Sequence, residues 1–294
     1  MSTQQGVVVT STGNHCIVSD NHGALHRCQL RGRRGQRPVC GDWVSWQPLE
    51  QGGVIESISP RRNVLERGDF RGHPRALAAN IDRLLLVIAP VPKPDRLLMD
   101  RYCVLAHAMS LDLTIWVNKA DIADEDDALT QVIEQYAAFG LTTLRGSALT
   151  GDGMAALERL TAGESVILAG QSGVGKSSLT QRLIPHLDLR IGEISSASGQ
   201  GRHTTTETTR FARPQGGALI DSPGVRTLRL DHLSPRAVLH GFPEIASVTQ
   251  QCRFRDCHHS QEPDCAVKAA IASAAIDPQR LESWRTLTAE STDD

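Results

Sequence analysis

The sequence predicts a multidomain protein with a small OB-fold β-barrel, a central α/β domain and a mostly helical C-terminal domain. Residues 1–75 contain short apolar or alternating runs separated by Gly, Asn, Asp and Pro, which is typical of a small barrel. In residues 76–232, short apolar runs alternate with segments of helical spacing, which indicates a parallel sheet covered by helices. Residues 233–294 have mostly helical spacing and contain a cluster of Cys and His.

The first domain is predicted to contain about five short strands, the number found in an OB-fold. These strands are expected at Gly6–Val9, His15–Val18, Leu25–Leu30, Val39–Trp46 and Gly53–Ile58. Residues 1–75 also contain ten Arg, six acids and no Lys, so their net charge is +4 against −6 for the rest of the chain. On charge alone a solvated surface is the simpler interpretation, but four Arg in the loop 31–37 favour a polyanionic partner.

The central domain is predicted to be a doubly wound α/β domain. Its buried strands are expected at Leu84–Ala89, Thr114–Val117, Thr142–Arg145, Val166–Ala169 and Ala218–Ile220. Its helices are expected at Arg96–Ala108, Ala128–Phe139, Met154–Leu160 and Lys176–Leu183. Because ligands of such sheets bind at the carboxyl ends of the strands, the loops that follow these strands are where a site is expected.

A glycine-rich motif follows one of these strands and leads into a helix. It fits G-x-x-x-x-G-K-[ST] and comprises Gly170, Gln171, Ser172, Gly173, Val174, Gly175, Lys176 and Ser177, followed by Ser178. Backbone N–H groups of this motif wrap phosphates at a helix N-terminus, and Lys176 adds charge at the β- and γ-phosphates. The Ser177 hydroxyl is expected to bind Mg²⁺. A chance glycine-rich turn is a poor alternative, because the strand and helix supply the context that the motif requires.

A second phosphate motif, Asp221-Ser222-Pro223-Gly224, ends a later hydrophobic strand. Asp221 is expected to hold Mg²⁺ through water, and the Gly224 N–H is expected to meet the γ-phosphate. The polar segment 201–206 between the two motifs is the natural switch loop, with one Thr contacting Mg²⁺ and the γ-phosphate. Thr205 is our candidate, although the sequence does not decide between Thr204, Thr205 and Thr206.

A base-binding motif, Asn118-Lys119-Ala120-Asp121, follows another strand and fits N-K-x-D. A fixed Asp121 carboxylate accepts from both N1–H and the exocyclic amine of guanine, whereas adenine leaves it unpaired. Lys119 is expected to lay its stem over the base, and Asn118 to tie the base loop to the phosphate loop. After the next strand come Ser147 and Ala148, whose Ala148 N–H is expected to bond guanine O6. Together these motifs predict a GTP-binding protein.

The motifs occur in a circularly permuted order, because the base motifs precede the phosphate loop. Ordinary small GTPases carry the phosphate loop first. Joining the old termini and cutting elsewhere preserves the site, since all the loops lie at one edge of the sheet. The new cut follows Asp221–Gly224, so we hypothesise that the nucleotide state is relayed to the C-terminal domain.

One position predicts slow catalysis. Val225 stands where Ras-like enzymes place a water-orienting Gln, and a Val side chain cannot orient water. Unassisted turnover is therefore expected at or below roughly 10⁻⁴ s⁻¹. His203 on the switch loop is the candidate catalytic substitute, with a solvated loop histidine as the alternative.

A candidate zinc site lies in the C-terminal domain. Its predicted ligands are Cys252, Cys257, His259 and Cys265, with His258 as the alternative imidazole. Three thiolates and one imidazole within 14 residues suit a closed, structural Zn²⁺ site. Reduced cysteines in a loop are the alternative interpretation. The remaining cysteines fall in strand or helix patterns and are expected to be small core residues, namely Cys16, Cys28, Cys40 and Cys103.

The whole chain resembles the bacterial circularly permuted GTPases of the RsgA (YjeQ/YloQ) type. The resemblance rests on Asn118–Asp121, Ser147-Ala148, Gly170–Ser178, Gly201–Thr206, Asp221–Gly224 and the spacing of the Cys/His cluster. It implies an OB-fold that binds rRNA, a permuted GTPase domain and a C-terminal zinc domain. It further implies that GTP is hydrolysed to GDP with Mg²⁺, and that the 30S subunit and its 16S rRNA are the partners. Members of this family act late in maturation of the 30S subunit, which stimulates their GTPase activity.

Composition excludes several other classes of protein. No apolar run approaches the roughly 20 residues that span a bilayer, and the N-terminus lacks the pattern of a secretion signal. We therefore expect a cytoplasmic protein with reduced cysteines, and a monomer. Three rivals remain from the sequence: a permuted GTPase of the large subunit, a non-catalytic RNA-binding protein liganded by GTP, and a zinc-dependent DNA-binding regulator.

Overall fold

The N-terminal domain of the computed structural model is a closed barrel, as the strand pattern predicted. The structure describes residues 3–12, 15–30, 36–68, 74–122, 127–198, 207–222 and 230–291. The barrel strands are β1 Gln4–Thr12, β2 His15–Asp20, β3 Leu25–Leu30, β4 Trp43–Pro48 and β5 Gly53–Ile58. Their order around the barrel is β1-β2-β3-β5-β4, and β1 pairs with β4 to close it.

The fourth strand begins later than predicted. The segment before Trp43 forms a turn instead, because the buried Asp42 carboxylate accepts the Val39 N–H at 2.7 Å and is paired with Arg61 at 2.7 Å. Gly41 in this turn has φ +86°, and a Cβ there would lie 2.2 Å from the Ala79 carbonyl oxygen. A turn held by this buried ion pair therefore stands before Trp43, where the surrounding apolar residues had predicted the start of a strand.

A hairpin missed from the sequence follows the barrel. Its strands are β6 Val64–Gly68 and β7 Pro74–Ala79, which pair antiparallel. Strand β7 spans the domain boundary that we expected at residue 75, and Cys40 forms an isolated bridge with Ala78. The hairpin therefore links the barrel to the sheet that comes next in the chain.

The central domain contains a six-stranded sheet in the order β10-β9-β8-β11-β13-β12. All neighbouring strands are parallel except β12, which pairs antiparallel with β13. The chain runs through β8 Arg83–Ile88, α1 Arg96–Ala108, β9 Asp112–Val117, α2 Ala128–Ala138, β10 Thr142–Arg145, α3 Met154–Leu160, β11 Ser165–Ala169, α4 Lys176–Leu183, α5 Leu187–Ser198, β12 Thr209–Ala212 and β13 Ala218–Asp221. Helix α5 and strand β12 were not predicted; the other elements were, to within two residues at each end.

Two elements of the central domain pack against the barrel. Helix α5 contacts β2 and β3, and strand β12 contacts β1. In the chain these two elements lie on either side of residues 201–206, where we expect the switch loop. The barrel and the sheet thus share an interface built from the elements that flank this loop.

The C-terminal domain is helical, as predicted, and packs on the central domain. It contains α6 Pro235–His240, α7 Pro243–Thr249, α8 Ala266–Ala272 and α9 Pro278–Ala289. Helices α6 and α9 contact α1. The four cysteines outside the Cys/His cluster are buried, as expected of core residues. Within the described ranges, no helix has both the length and the apolar character needed to cross a membrane.

A buried ion network joins the two domains. Arg280 of α9 is 3% exposed, donates to Asp100 of α1 and is paired with Glu244 of α7 at 2.7 Å. The Tyr136 hydroxyl also donates to Asp100, and the Arg280 guanidinium lies 4.3 Å from the ring centroid of Phe242. Burial raises the pKa of Asp100, and Arg280 is the main group that opposes this shift. The arginine is therefore the counter-ion that allows a carboxylate in this core.

We expect Arg280→Met to destabilise the protein strongly, because it leaves the Asp100 carboxylate buried without its cation. Loss of one partner of a buried ion pair costs about 3–5 kcal/mol. The free energy of unfolding, measured by urea denaturation, should fall by that amount. The exposed Arg236 of α6 offers a matched control, and Arg236→Met should change stability by less than about 0.5 kcal/mol. Adding Asp100→Asn should recover part of the loss; a double variant no more stable than Arg280→Met would contradict this account.

Candidate functional site

The predicted site loops converge at one edge of the sheet. Asn118 follows β9, Ser147 lies just beyond β10, Gly170 follows β11, and Asp221 is the last residue of β13. These strands are parallel and lie side by side with β8, so their carboxyl ends share one edge. The chain passes from β8 to β9 on one side and later returns to β11 on the other side of β8. A crevice at such a reversal is where open α/β sheets bind ligands.

Asn118 connects three of these loops. Its Nδ2 donates to the Val174 carbonyl oxygen at 2.9 Å, and its Oδ1 accepts the Ala148 N–H at 3.0 Å. The Trp116 indole N–H also lies 3.4 Å from Oδ1, and Asn118 is 2% exposed. The amide therefore joins the base loop to the phosphate loop, as the sequence predicted. The Ala148 N–H is already engaged here, so a bond to guanine O6 requires it to be exchanged or shared.

The glycine-rich loop has the form that a phosphate-binding loop needs. Gly170 has φ +128°, and a Cβ on it would lie 2.1 Å from the Val87 carbonyl oxygen. Gly175 has φ +95°, and a Cβ there would lie 2.3 Å from Asn118 Nδ2. Lys176 begins helix α4 and its ammonium donates to the Gly170 carbonyl oxygen at 2.7 Å and to that of Gln171. The backbone thus curls around the lysine head at the start of a helix.

Lys119 bridges the phosphate loop to the loop after β8. Its ammonium donates to the carbonyl oxygens of Gly173 and Val91, both at 2.7 Å. The backbone of Lys119 is left-handed, with φ +59°, and Ile122 N–H donates to its carbonyl at 2.9 Å to close the turn. The Lys119 ammonium therefore ties the base motif to the phosphate loop and to the loop after β8. The bond to Val91 was not predicted from the sequence.

The remaining predicted site residues divide into three groups. Asp121, Ser172, Ser177, Ser178 and Asp221 are exposed at this edge of the sheet. Ser147 is buried and its Oγ accepts from the N–H groups of Leu149 and Thr150, each at 3.2 Å. His203, Thr205 and Gly224 lie outside the residues that the structure describes, as does Val225.

The Cys/His cluster is assembled beside helix α8. One ligand atom from each of Cys252, Cys257, His259 and Cys265 lies within 4.8 Å of the others. His259 Nδ1 is 3.6 Å from Cys252 Sγ and 3.4 Å from Cys265 Sγ, and these two sulfurs are 4.0 Å apart. A tetrahedron with bonds of about 2.0–2.3 Å has edges of about 3.5–3.8 Å. The four side chains are therefore spaced to hold one metal ion, and the imidazole comes from His259 rather than the exposed His258.

Two of the four groups in the cluster have pKa shifts that favour metal binding. Burial lowers the pKa of His259, which keeps the imidazole neutral and able to donate a lone pair. Burial also opposes the Cys265 thiolate, but the Lys268 N–H and the neighbouring thiols outweigh it, so the pKa of Cys265 lies below its ordinary value. Burial raises the pKa of Cys257 to about 11, so this thiol keeps its proton at neutral pH unless a bound cation displaces it.

Comparisons with known proteins agree with this geometry. The family model described as RsgA GTPase matches residues 58–231 of this chain. A protein of Actinobacillus pleuropneumoniae serotype 5b (strain L20), named "Small ribosomal subunit biogenesis GTPase RsgA", is 40% identical over 291 residues, covering 97% of this chain and 84% of that protein. The chain belongs to the RsgA GTPase family.

Two solved structures share its architecture. YjeQ from Thermotoga maritima is 31% identical with a TM-score of 0.78, and the match covers 98% of each chain. YloQ, described as a circularly permuted GTPase, is 26% identical with a TM-score of 0.75, and the match covers 98% of this chain and 95% of that one. The predicted fold class, permuted order and GTPase activity are thereby confirmed. As an RsgA GTPase, the protein uses guanine nucleotide.

We expect Asn118→Ala to loosen this edge of the sheet, because the buried Ala148 N–H and Val174 carbonyl both lose their partner. Each unsatisfied buried group costs about 1–3 kcal/mol, and amide hydrogen exchange at Ala148 should become faster. Asn118→Asp is the matched control. Its carboxylate still accepts the Ala148 N–H, but it has no N–H to donate to the Val174 carbonyl and places a second acceptor against it. Exchange at Ala148 should then stay slow while the phosphate loop exchanges faster. Equal exchange in both variants would argue against the bridging role of Asn118.

Proposed function

We propose that this GTPase binds the small (30S) ribosomal subunit, assists its late maturation and hydrolyses GTP faster when bound to it. The observation that carries the proposal is the Asn118 bridge, which brings a base-reading loop and a phosphate loop of the expected kinds together at one sheet edge. Relatives named as small ribosomal subunit biogenesis GTPases, 40% identical over nearly the whole chain, support the choice of partner.

The base is read by three groups in this proposal. Asp121 accepts from N1–H and the exocyclic amine of guanine. The Ala148 N–H, in the neighbouring base loop after β10, would donate to O6. Lys119 places its stem along the ring while its ammonium holds the two loops at 2.7 Å contacts. Adenine would leave the Asp121 carboxylate unpaired, so the site selects guanine.

The phosphates bind the glycine-rich loop, Gly170–Ser178. Lys176 presently donates to loop carbonyls, so phosphate oxygens would replace these acceptors when nucleotide binds. Ser177 at the start of α4 and Asp221 at the end of β13 are the residues that would hold Mg²⁺, together with Thr205 from the switch loop. Bound Mg²⁺ neutralises charge that develops between the β- and γ-phosphates.

Catalysis is proposed to depend on the partner. Val225 replaces the Gln that orients water in Ras-like enzymes, so the chain alone lacks that group. His203 is the candidate that orients water or stabilises the transition state, and the Gly224 N–H would meet the γ-phosphate. Contact with the 30S subunit would complete the catalytic group that Val225 does not supply, which explains why stimulation is expected.

The barrel is proposed to bind 16S rRNA. Residues 1–75 have a net charge of +4, whereas the rest of the chain has −6. Two of its arginines already have acidic partners: Arg61 forms the buried pair with Asp42, and Arg62 is paired with Asp82 at 2.7 Å. Arg27 and Arg75 remain exposed in β3 and β7. The remaining basic charge suits a phosphate backbone. We propose a cytoplasmic monomer whose domains are residues 1–75, 76–232 and 233–294.

The Cys/His cluster is proposed to hold one structural Zn²⁺. Four protein ligands leave no open coordination position, so the ion would stabilise the C-terminal domain rather than take part in hydrolysis. His259 is 1% exposed, its ring centroid lies 5.4 Å from that of Trp284, and its carbonyl accepts from Arg285 at 2.6 Å. Both partners belong to α9, so the cluster fixes the loop against the helix that also supplies Arg280.

We expect phosphate release from GTP to be slow for the chain alone and strongly stimulated by purified 30S subunits. Lys176→Ala should abolish the stimulated activity, because the charge at the β- and γ-phosphates is lost; Lys268→Ala, outside the nucleotide site, is the matched control and should retain it. Asp121→Asn should weaken GTP binding and favour XTP, whose ring has an acceptor at the position of the amine.

Two outcomes of this assay would overturn parts of the proposal. Stimulation by 50S but not 30S particles would move the GTPase to the large subunit. Absence of phosphate release with either particle would favour a GTP-liganded RNA-binding protein. Tight duplex DNA binding that ignores the nucleotide would instead support a DNA-binding regulator.

We expect the purified protein to carry about one zinc ion per chain, measured by a colorimetric chelator after denaturation. Cys265→Ala should lose the ion and lower the thermal midpoint, because the site's binding free energy contributes to folding. Cys28→Ala removes a buried thiol of the barrel and should keep the ion. Retention of full zinc by Cys265→Ala would show that the metal, if present, is held elsewhere.

A further inference from the structure

Two histidines face each other at the edge of the sheet opposite the nucleotide loops. His107 is in the last turn of α1 and His240 is in the last turn of α6. Their ring centroids are 5.6 Å apart, and the ring planes are inclined by 69°. Both side chains are exposed and line a cavity of about 460 Å³. The cavity is also lined by the first residues of β8, β9 and β10, which are Arg83, Asp112 and Thr142.

The two helices that carry these histidines are packed closely. Gly241 follows His240, and a Cβ on it would lie 2.6 Å from the Cα of Val104 in α1. Val104 and Val238 of α6 are both buried. Because α1 belongs to the central domain and α6 to the C-terminal domain, the two imidazoles lie on either side of a domain interface. Tight packing of the helices limits how far the imidazoles can separate.

The spacing of the rings suits a shared metal ion. An ion about 2.0–2.1 Å from one nitrogen of each imidazole lies about 3.2 Å from each ring centre, so tetrahedral coordination separates the centres by about 5.2 Å. The observed 5.6 Å requires only a slightly wider angle at the ion. Rings stacked face to face would direct their lone pairs in parallel, whereas an inclination of 69° lets the lone pairs converge.

The charge around the cavity is compatible with a cation. Two arginines line the cavity, and each is paired with two carboxylates. These groups are Arg83 with Asp112 and Glu164, and Arg280 with Asp100 and Glu244. The positive charge of both arginines is therefore compensated before any ion binds. The C-terminal end of α1, beside His107, adds partial negative charge that attracts cations.

We propose that His107 and His240 form a second, exchangeable site for a divalent transition metal such as Zn²⁺. Imidazole nitrogen binds Zn²⁺, Ni²⁺ and Cu²⁺, whereas Mg²⁺ and Ca²⁺ prefer oxygen ligands. Among the residues that the structure describes, the Cys/His cluster is the group that brings three or more metal-binding side chains together. Two protein ligands leave coordination positions for water, so this ion exchanges more readily than one in a closed site.

An ion at this site links the central domain to the C-terminal domain. It is held by both imidazoles only while α6 lies against α1. Binding of the ion and docking of the helices are therefore coupled, and free metal stabilises the docked arrangement. The site shares no residue with the nucleotide loops or with the Cys/His cluster, so it goes beyond the proposed function and does not depend on it.

The test is calorimetric titration of Zn²⁺ into the full chain, after dialysis has removed loosely bound metal. The native chain should bind one further ion, and its thermal midpoint should rise when that ion is added. His107→Ala and His240→Ala should each weaken this binding by more than about 100-fold, because loss of an outer-shell partner alone costs about 10–100-fold. His22→Ala, at an exposed position between β2 and β3, is the matched control and should bind as the native chain does.

Two control measurements show that the variants are intact. Zinc content before titration should be equal in all of them, because the Cys/His cluster is unchanged. Thermal midpoints without added metal should also agree, since all three imidazoles are exposed.

Three results would overturn the site. The native chain could bind no further ion. Either His107→Ala or His240→Ala could keep the native affinity, which would show that one imidazole suffices. His22→Ala could lose the ion as well, which would indicate unspecific binding to surface histidines. Each of these results leaves phosphate release stimulated by 30S subunits unaffected, so the proposed function is tested separately.

Discussion

The Asn118 side chain is the interaction on which the nucleotide site depends. The base loop follows β9 and the phosphate loop follows β11, and β8 lies between these two strands, so the two loops need a connection across β8. The side-chain amide supplies that connection, with a donor for the phosphate loop and an acceptor for the loop after β10. Its burial protects both bonds from water, and Gly175 is obliged to lack a side chain because Asn118 occupies that space. Much of the geometry at this edge follows from one amide group.

Most of the fold could be predicted because the periodicity of the buried elements is strong. The elements that were missed have weak local signals. Helix α5 contains Gly192 and several serines, which are poor helix formers, and it is supported by the barrel against which it packs. Strand β12 carries a charged Arg210 and is only four residues long. In the hairpin strand β6, Glu66 and Arg67 interrupt the apolar pattern. Tertiary contacts, which a single sequence does not reveal, stabilise all three.

The candidate site likewise divides into features that local sequence predicted and features that depend on tertiary contacts. Motifs with fixed spacing located the phosphate loop, the base loop and the Cys/His cluster, since a few consecutive residues specify each of them. Contacts between distant segments were not predictable, such as the bond from Lys119 to Val91 or the pairing of the Ala148 N–H with Asn118. The same applies to the Arg280 network, whose members come from four helices or their flanks. Short motifs identify the residues of a local site, whereas contacts between distant segments can be seen only in the folded structure.

The pairing of Asp100 with Arg280 also limits when the central domain can finish folding while the chain is being synthesised. The two residues are 180 positions apart in the chain. At roughly 5–20 residues per second, translation leaves Asp100 without its cation for on the order of 10–40 s. During that time helix α1 carries a carboxylate that resists burial, so its inner face stays hydrated or its proton is retained. The core around Asp100 therefore takes its final, ion-paired form only after helix α9 has left the ribosome that makes it.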